Sequence, residues 1–263
     1  MGPDDRNMLR IAFLHLAPAP CDVPGNRSLV VRGIQAAASR GAQWVITPEL
    51  CVCGYTFADR IGTDWIKPQP DPWMAELCRL TADLGMTVFL GHPEREEQTG
   101  NLFNSVFVIS DGKIIGRHRK INTLRKGSEA WSHPAERACP ISVAPIGMVG
   151  IMICGDAFSP GIARHLKKQG ARLLVSSAAW APGFHGPDGE WERCSLDTGL
   201  PLIVCNRSGV DLTLDFTAAE SVVAKDGRRL LTFSAPTSTA VIVDWDLAGE
   251  TLAKTSCRKV AIR

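Results

Sequence analysis

Two apolar runs in this 263-residue chain end in side chains that could do chemistry. Gln43-Trp44-Val45-Ile46-Thr47-Pro48 delivers Glu49, and Gly147-Met148-Val149-Gly150-Ile151-Met152-Ile153 delivers Cys154, followed by Gly155 and Asp156. Open α/β sheets place ligand chemistry at the carboxyl ends of their strands. A thiol there is a candidate nucleophile and a carboxylate a candidate acid or base. The competing reading makes Cys154 a small core hydrophobe, since free cysteine is among the most buried residue types. Glu49 is harder to treat as filler, because a carboxylate beside a buried strand needs a partner or a function. A third candidate lies in the basic run Arg117-His118-Arg119-Lys120, whose plain reading is a solvated strand end.

The elements that must position these residues alternate short apolar runs with helical stretches, the signature of an α/β chain. Strands are expected at Leu9 to Leu16, Gln43 to Thr47, Met86 to Gly91, Leu102 to Ile109, Lys113 to His118, Met148 to Cys154, Arg172 to Ser176, Leu202 to Asn206, Ser221 to Ala224 and Ala240 to Asp244. A helix is expected over Leu29 to Ala38, with Gly41 at its exit. A second opens with Asp71 as N-cap and Pro72 at its first position and stops at Gly85. A third starts at Ser159-Pro160 and ends at Gly170, and a fourth spans Gly189 to Asp197. Turns at Asp111-Gly112 and Asp226-Gly227 mark two hairpins. Hairpins mixed with strand–helix units point to two sheets in contact, each covered by helices. No Pro/Ser-rich linker divides the chain, so residues 1–263 read as one domain, with about 245–263 a tail or oligomer-contact segment.

Composition narrows the function. Lys plus Arg number 29 against 27 Asp plus Glu, and a net charge of +2 supplies no field for nucleic acid and no polybasic membrane anchor. No apolar stretch approaches the roughly 18 residues of a membrane span. The first residues, Met-Gly-Pro-Asp-Asp-Arg, lack the apolar core of a secretory signal. Nine cysteines, an odd count without paired spacing, fit a reducing compartment better than a disulfide framework. Cys51-Val52-Cys53 is too tight for the usual zinc spacing. A cytoplasmic protein with no metal is expected.

The joint order of several segments is more specific than any one of them. Pro48-Glu49-Leu50 with Gly54-Tyr55 beyond it, Gly100-Asn101-Leu102-Phe103-Asn104-Ser105, Arg119-Lys120-Ile121-Asn122, Ile153-Cys154-Gly155-Asp156 with Pro160 beyond it, Ser177-Ala178-Ala179-Trp180 and Cys205-Asn206-Arg207-Ser208-Gly209 follow one another along the chain. In this the sequence resembles the carbon–nitrogen hydrolase family, also called the nitrilase superfamily, over almost its whole length. The resemblance implies a four-layer αββα sandwich of two mixed sheets flanked by helices. It also implies a catalytic triad that falls on Glu49, Lys120 and Cys154.

That triad implies a definite chemistry. An ordinary thiol is only a few per cent thiolate at neutral pH and needs a base or a positive neighbour. Glu49 would take the thiol proton and later activate water. Lys120 would stabilise the oxyanion, with the backbone N–H of Gly155 as second donor. Attack on an amide or N-carbamoyl carbon would release ammonia or an amine and leave a thioester for hydrolysis, without metal or organic cofactor. The family's amidases carry a second glutamate, here matched by Glu129, which would orient Lys120 or the substrate; its other reading is a surface-loop acid. Tyr55 and Trp180 resemble pocket-lining positions and read equally well as core aromatics.

The sequence also departs from the family pattern. Pro160 is followed by Gly161 where the family commonly has glutamate, which removes a helix-start contact. Gly155-Asp156 looks like the amidase and carbamoylase branches, while Glu129-Ala130-Trp131 keeps nitrile hydrolysis in play. Other readings are a Cys–His hydrolase using His118, His133 or His185, acyl transfer to an amine, and a catalytically silent scaffold with the same fold. Of the nine cysteines, Cys154 is expected to react first with a small electrophile. Substrate choice would rest on Tyr55 to Lys67 and on Trp180 to Trp191, whose Gly/Pro-rich part, Ala181 to Gly189, reads as a lid. The family commonly pairs two sandwiches through a helical face, so the helix from Ser159 and the segment near Trp191 to Pro201 are expected to form a homodimer or larger oligomer.

Overall fold

The computed structural model describes residues 7–183 and 185–263, with the side chains of 254–256 outside the description. The chain start discussed above, and Phe184 of the candidate lid, therefore lie outside the described residues. From β1 (Met8–His15) the backbone passes through α1 (Val23–Ala38), β2 (Trp44–Ile46), the four-residue α2 (Ala58–Ile61) and α3 (Pro72–Asp83) to β3 (Thr87–Arg95), β4 (Leu102–Ser110) and β5 (Lys113–Arg119). The later part runs through β6 (Ile141–Val143), β7 (Gly147–Ile153), α4 (Pro160–Lys168), β8 (Leu173–Ala178), α5 (Glu190–Thr198) and β9 (Leu202–Asn206). It ends with a small hairpin, β10 (Val210–Asp211) and β11 (Leu214–Asp215), then β12 (Ser221–Lys225), β13 (Arg228–Phe233), β14 (Thr239–Asp246) and β15 (Thr251–Ala261).

Two mixed sheets result. One has the order β15-β14-β1-β2-β3-β4-β5, the other β13-β12-β9-β8-β7-β6. Their strands are apolar on both faces, as strands buried on two sides must be. In β1, Leu9, Ile11 and Phe13 join the core that also holds Val149, Ile151 and Ile153 of β7. Ala12 and Leu14 face outward and pack with Val30, Ile34 and Ala37 of α1 and Met74 and Leu77 of α3. Ala163 and Leu166 of α4 and Trp191 and Cys194 of α5 cover the second sheet. The fold is an αββα sandwich.

The helices begin and end where local chemistry dictates. Asp71 accepts from Met74 N–H at 2.8 Å, Pro72 opens α3, and Gly85 leaves it with φ +61°. α1 starts six residues earlier than the apolar pattern predicts. Asp22 caps it by accepting from Gly25 N–H at 3.0 Å, and Pro24 sits in the first turn, where its missing N–H costs nothing.

The C-terminal segment corrects the sequence reading. Residues 251–261 are not a tail; they form the edge strand of the larger sheet, paired antiparallel with β14 from Ala261 opposite Thr239 to Thr251 opposite Asp246. Their polar composition hid them, because an edge strand half exposed to water needs no apolar alternation. β3 also extends beyond Gly91 to Arg95, held by its pairing with β4.

One close approach bears directly on Glu49. Gly91 of β3 lies under the turn that leaves β2, donating its N–H to Thr47 Oγ1 at 2.9 Å. A Cβ on Gly91 would collide with the Pro48 carbonyl and stand 2.9 Å from Glu49 Cα. Both obstacles are backbone and cannot rotate away. Gly91→Ala should therefore lower the unfolding free energy by about 1–3 kcal/mol and displace Glu49, so that activity falls further than thermal unfolding alone explains.

Candidate active site

Glu49, Lys120 and Cys154 each stand just past the carboxyl end of a strand, at the same end of the sandwich. Glu49 follows β2 and Lys120 follows β5 in the larger sheet, while Cys154 follows β7 in the smaller one. Glu49 N–H donates to Ala178 O at 3.4 Å, so the turn after β2 bridges to the end of β8 across the sandwich. Lys120 is pinned on both sides of its peptide unit, donating N–H to Asn104 O at 2.8 Å and accepting from Ala135 N–H at 2.9 Å.

The charged groups are dry and in contact. Lys120 is 2% exposed, Glu49 1% and Glu129 0%. Lys120 Nζ donates to Glu49 Oε1 at 2.8 Å and to Glu129 Oε1 at 2.5 Å. Glu49 Oε2 accepts from the backbone N–H of Ala179 at 2.9 Å, and Glu129 Oε2 accepts from that of Leu124 at 3.0 Å. Burial drives the Glu49 carboxyl up to about 7 against the pull of Lys120, with Glu129 pushing the same way as burial. Burial alone would lower Lys120, yet Glu49, Cys154 and Glu129 outweigh it and hold the ammonium well above its ordinary range.

Cys154 occupies the first position of a tight 3₁₀ turn, Cys154–Phe158, with φ +44°. Non-glycine residues adopt that region at a cost of order 1 kcal/mol. It sets the thiol at the apex of a sharp bend between strand and turn. Burial first, then Glu49, raises the thiol well above its ordinary value, while Lys120 and the N–H of Ala179 oppose the rise. The thiol stands beside a carboxylate that burial has lifted to about 7. Gly155 lies against the lysine, where an added Cβ would be 3.8 Å from Lys120 Cε.

Cys154, expected to react first, is buried and its thiol is pushed up by burial and Glu49, whereas Cys139 and Cys257 are exposed. The order of labelling follows thiolate fraction and access together.

Two aromatics expected near the pocket have different places. Tyr55 is buried beside the charged cluster, its phenol pushed up by burial within the fields of Lys120, Glu129, Glu49 and Cys154. Asp211 accepts from Tyr55 N–H at 2.7 Å and pairs with the buried Arg207, which fixes the Tyr55 loop from below. Trp180 stands on the other side, its ring 4.7 Å from Phe158 and 5.4 Å from Trp191, and its Nε1 donates to His185 O at 2.8 Å. That bond ties the wall to the candidate lid. A depression of about 410 Å³ opens beside it, lined by Asn122, Leu124, Arg125 and Phe158 among others.

Sequence reasoning quoted two residues here within motifs without giving either a role. Asn104 of β4 donates to both Glu49 and Glu129; its signal was a polar residue inside an apolar strand. Asp156, fully buried, accepts from Ile153, Ile121 and Asn122 N–H groups and from His118 Nε2, each at 2.9–3.0 Å. It thereby fastens the cysteine turn to the residues after Lys120. The basic run is split by this: Lys120 and His118 point inward, while Arg119 pairs with Glu94 and Glu96. His118, offered above as a possible base for Cys154, is engaged by Asp156, and the His133 ring packs on Phe103 at 6.1 Å.

An ammonium held between two carboxylates, with a thiol on a bend beside them, is the arrangement that the resemblance implied. The sequence profile of the carbon-nitrogen hydrolase family matches residues 10–255. The chain belongs to the carbon-nitrogen hydrolase family. A probable nitrilase of Schizosaccharomyces pombe is 25% identical over 226 residues, covering 83% of this chain and 81% of the relative. Among solved structures, Saccharomyces cerevisiae Nit3, a member of branch 10 of the nitrilase superfamily, superposes with a TM-score of 0.79 at 19% identity, covering 91% of this chain and 90% of that one. A variant of the amidase from Nesterenkonia sp. AN1, whose active-site cysteine carries acrylamide by Michael addition, superposes with a TM-score of 0.77 at 21% identity, covering 89% and 92%. Among the described residues of this hydrolase, no helix is long and apolar enough to cross a membrane.

The Asp156 contacts generate a stability prediction. Hydrogen bonds from His118 and from backbone N–H groups outweigh burial and hold its carboxyl below the usual range. A carboxylate with a depressed folded value contributes stability that is present above the ordinary carboxylate range and lost as pH falls below it. Asp156→Ala leaves four donors without an acceptor and should lower the urea-unfolding free energy by about 3 kcal/mol at neutral pH. The gap from wild type should narrow below about pH 4.

Proposed function

We propose that this hydrolase cleaves the carbon–nitrogen bond of a small amide or N-carbamoyl compound through Glu49, Lys120 and Cys154. The observation that carries the reading is Lys120 Nζ bonded at once to Glu49 and Glu129 in a dry site beside the Cys154 bend. Glu49, with its carboxyl near 7, takes the thiol proton as Cys154 attacks the substrate carbon. The negative charge that develops on the substrate oxygen is met by the Lys120 ammonium and the Gly155 N–H. Glu49 returns the proton to the departing nitrogen as ammonia or an amine leaves. Water, deprotonated by Glu49, then attacks the thioester and frees Cys154. Glu129, bonded to Lys120 Nζ, keeps Lys120 aimed.

The reading extends to setting. Residues 1–263 form one hydrolase domain, and the nine free thiols suit the reducing cytoplasm. Self-association would use the face of α4 and α5, where Leu196 is 62% exposed beside the Arg164–Asp197 ion pair. Light scattering at micromolar concentration should give at least a dimer mass, and Leu196→Glu should reduce it to a monomer.

An ammonia-release screen over amides, N-carbamoyl compounds and nitriles tests the activity. With the best substrate, Glu49→Gln, Lys120→Ala and Cys154→Ala should each lower kcat by about three orders of magnitude or more, and their combination should cost little beyond one alone. Near wild-type turnover by the folded form of any one of these variants would refute the triad. Activity should fall on the acid side with a midpoint near 7, as Glu49 becomes protonated.

A further inference from the structure

Asn104 lies between Phe103 and Ser105 in the otherwise largely apolar strand β4 and is only 1% exposed. Its Nδ2 donates one hydrogen to Glu49 Oε1 at 2.6 Å and the other to Glu129 Oε1 at 2.9 Å. Lys120 Nζ donates to the same two oxygens. Two donors and two acceptors thus close a ring of four hydrogen bonds. The amide orientation is forced, because turning it over would set Oδ1 against both carboxylates. Oδ1 accordingly faces away and is a buried acceptor without a partner.

We propose that Asn104 is a positioning residue whose amide keeps Glu49 ionised and aimed, by holding two like-charged carboxylates on one lysine. Two carboxylates and one ammonium leave a net negative charge in a buried site. The inexpensive escape is protonation of Glu49, which would disable it as a base. A second neutral donor shared by both carboxylates opposes that escape without adding charge. Asn104 suits this where a second lysine would not, because an added ammonium would compete for the developing oxyanion. The other groups facing Glu49 are Lys120, Glu129, Cys154, Tyr55 and the Ala179 N–H. All but Lys120 and the Ala179 N–H raise its proton affinity or leave it unchanged, so the loss of Asn104 shifts the balance one way.

This inference rests on Glu49 being the base, and the experiment separates the two. Asn104→Leu removes the donor while keeping the branched side-chain outline, and Asn104→Ser keeps a single shorter donor. For each, the rate of Cys154 alkylation by chloroacetamide and kcat/KM for the best amide are measured against pH, with Cys154→Ala and Glu49→Gln as controls. The acid limb of both profiles should move up by about one pH unit in Asn104→Leu and by less in Asn104→Ser, with KM within about threefold. Activity should recover towards the wild-type level on the alkaline side. A uniform loss at every pH with the limb in place overturns the role. If Asn104→Leu does not fold, Asn104→Ser decides by the same criterion. Retained turnover in Glu49→Gln instead overturns the reading of the base itself, wherever the limb lies.

Discussion

A single ammonium shared by two carboxylates in a space closed to water is the constraint on which the rest of this structure depends. Taking such ions out of water costs several kcal/mol each, and only close pairing with further hydrogen bonds makes up for it. The chain meets that demand with fixed donors: Asn104 Nδ2, the Ala179 N–H and the Leu124 N–H each complete a carboxylate. Removing any one charge would strand the others, typically at about 3–5 kcal/mol. The cluster is therefore held rigid by its own electrostatics, and its proton distribution is the variable left for chemistry.

Burial and Glu49 push the Cys154 thiol well above its ordinary value, which favours its neutral form. The same burial lifts Glu49 to about 7, where it can accept a proton and give it back with little penalty either way. Lys120 cannot share in this traffic, since its two carboxylates hold its proton firmly. The proposed division of base and electrostatic stabiliser between Glu49 and Lys120 thus follows environment rather than residue type.

The sandwich supplies the geometry. Glu49 and Lys120 arrive on strands of one sheet and Cys154 on a strand of the other, so the site exists only where the two sheets close on each other. Small features secure that closure. Gly91 lets β3 run against the Pro48 carbonyl, Asp156 laces the cysteine turn to the segment after Lys120, and the buried Arg207–Asp211 pair anchors the Tyr55 loop. Each fixes the position of a group in or beside the charged cluster.

By itself the sequence determined the alternation of apolar strands and capped helices, both Asp-Gly hairpins, and the two strand ends that present Glu49 and Cys154. Those follow from local physics: burial on two faces demands continuous apolar runs, and caps and turns demand Asp, Pro and Gly. Lys120 and Glu129 were nameable only through the likeness to a family, because a lysine after a basic run and a glutamate in a loop look solvated until a fold encloses them. Residues 251–261 and the start of α1 stayed hidden, one behind the polar composition of an edge strand, the other behind a proline and a glycine in a first turn. Only the tertiary structure decided that His118 faces Asp156, that Asn104 bridges two carboxylates, and that burial and Glu49 push the Cys154 thiol up. Each of these depends on which groups from distant strands share a space without water, and that is a property of packing that no local pattern carries.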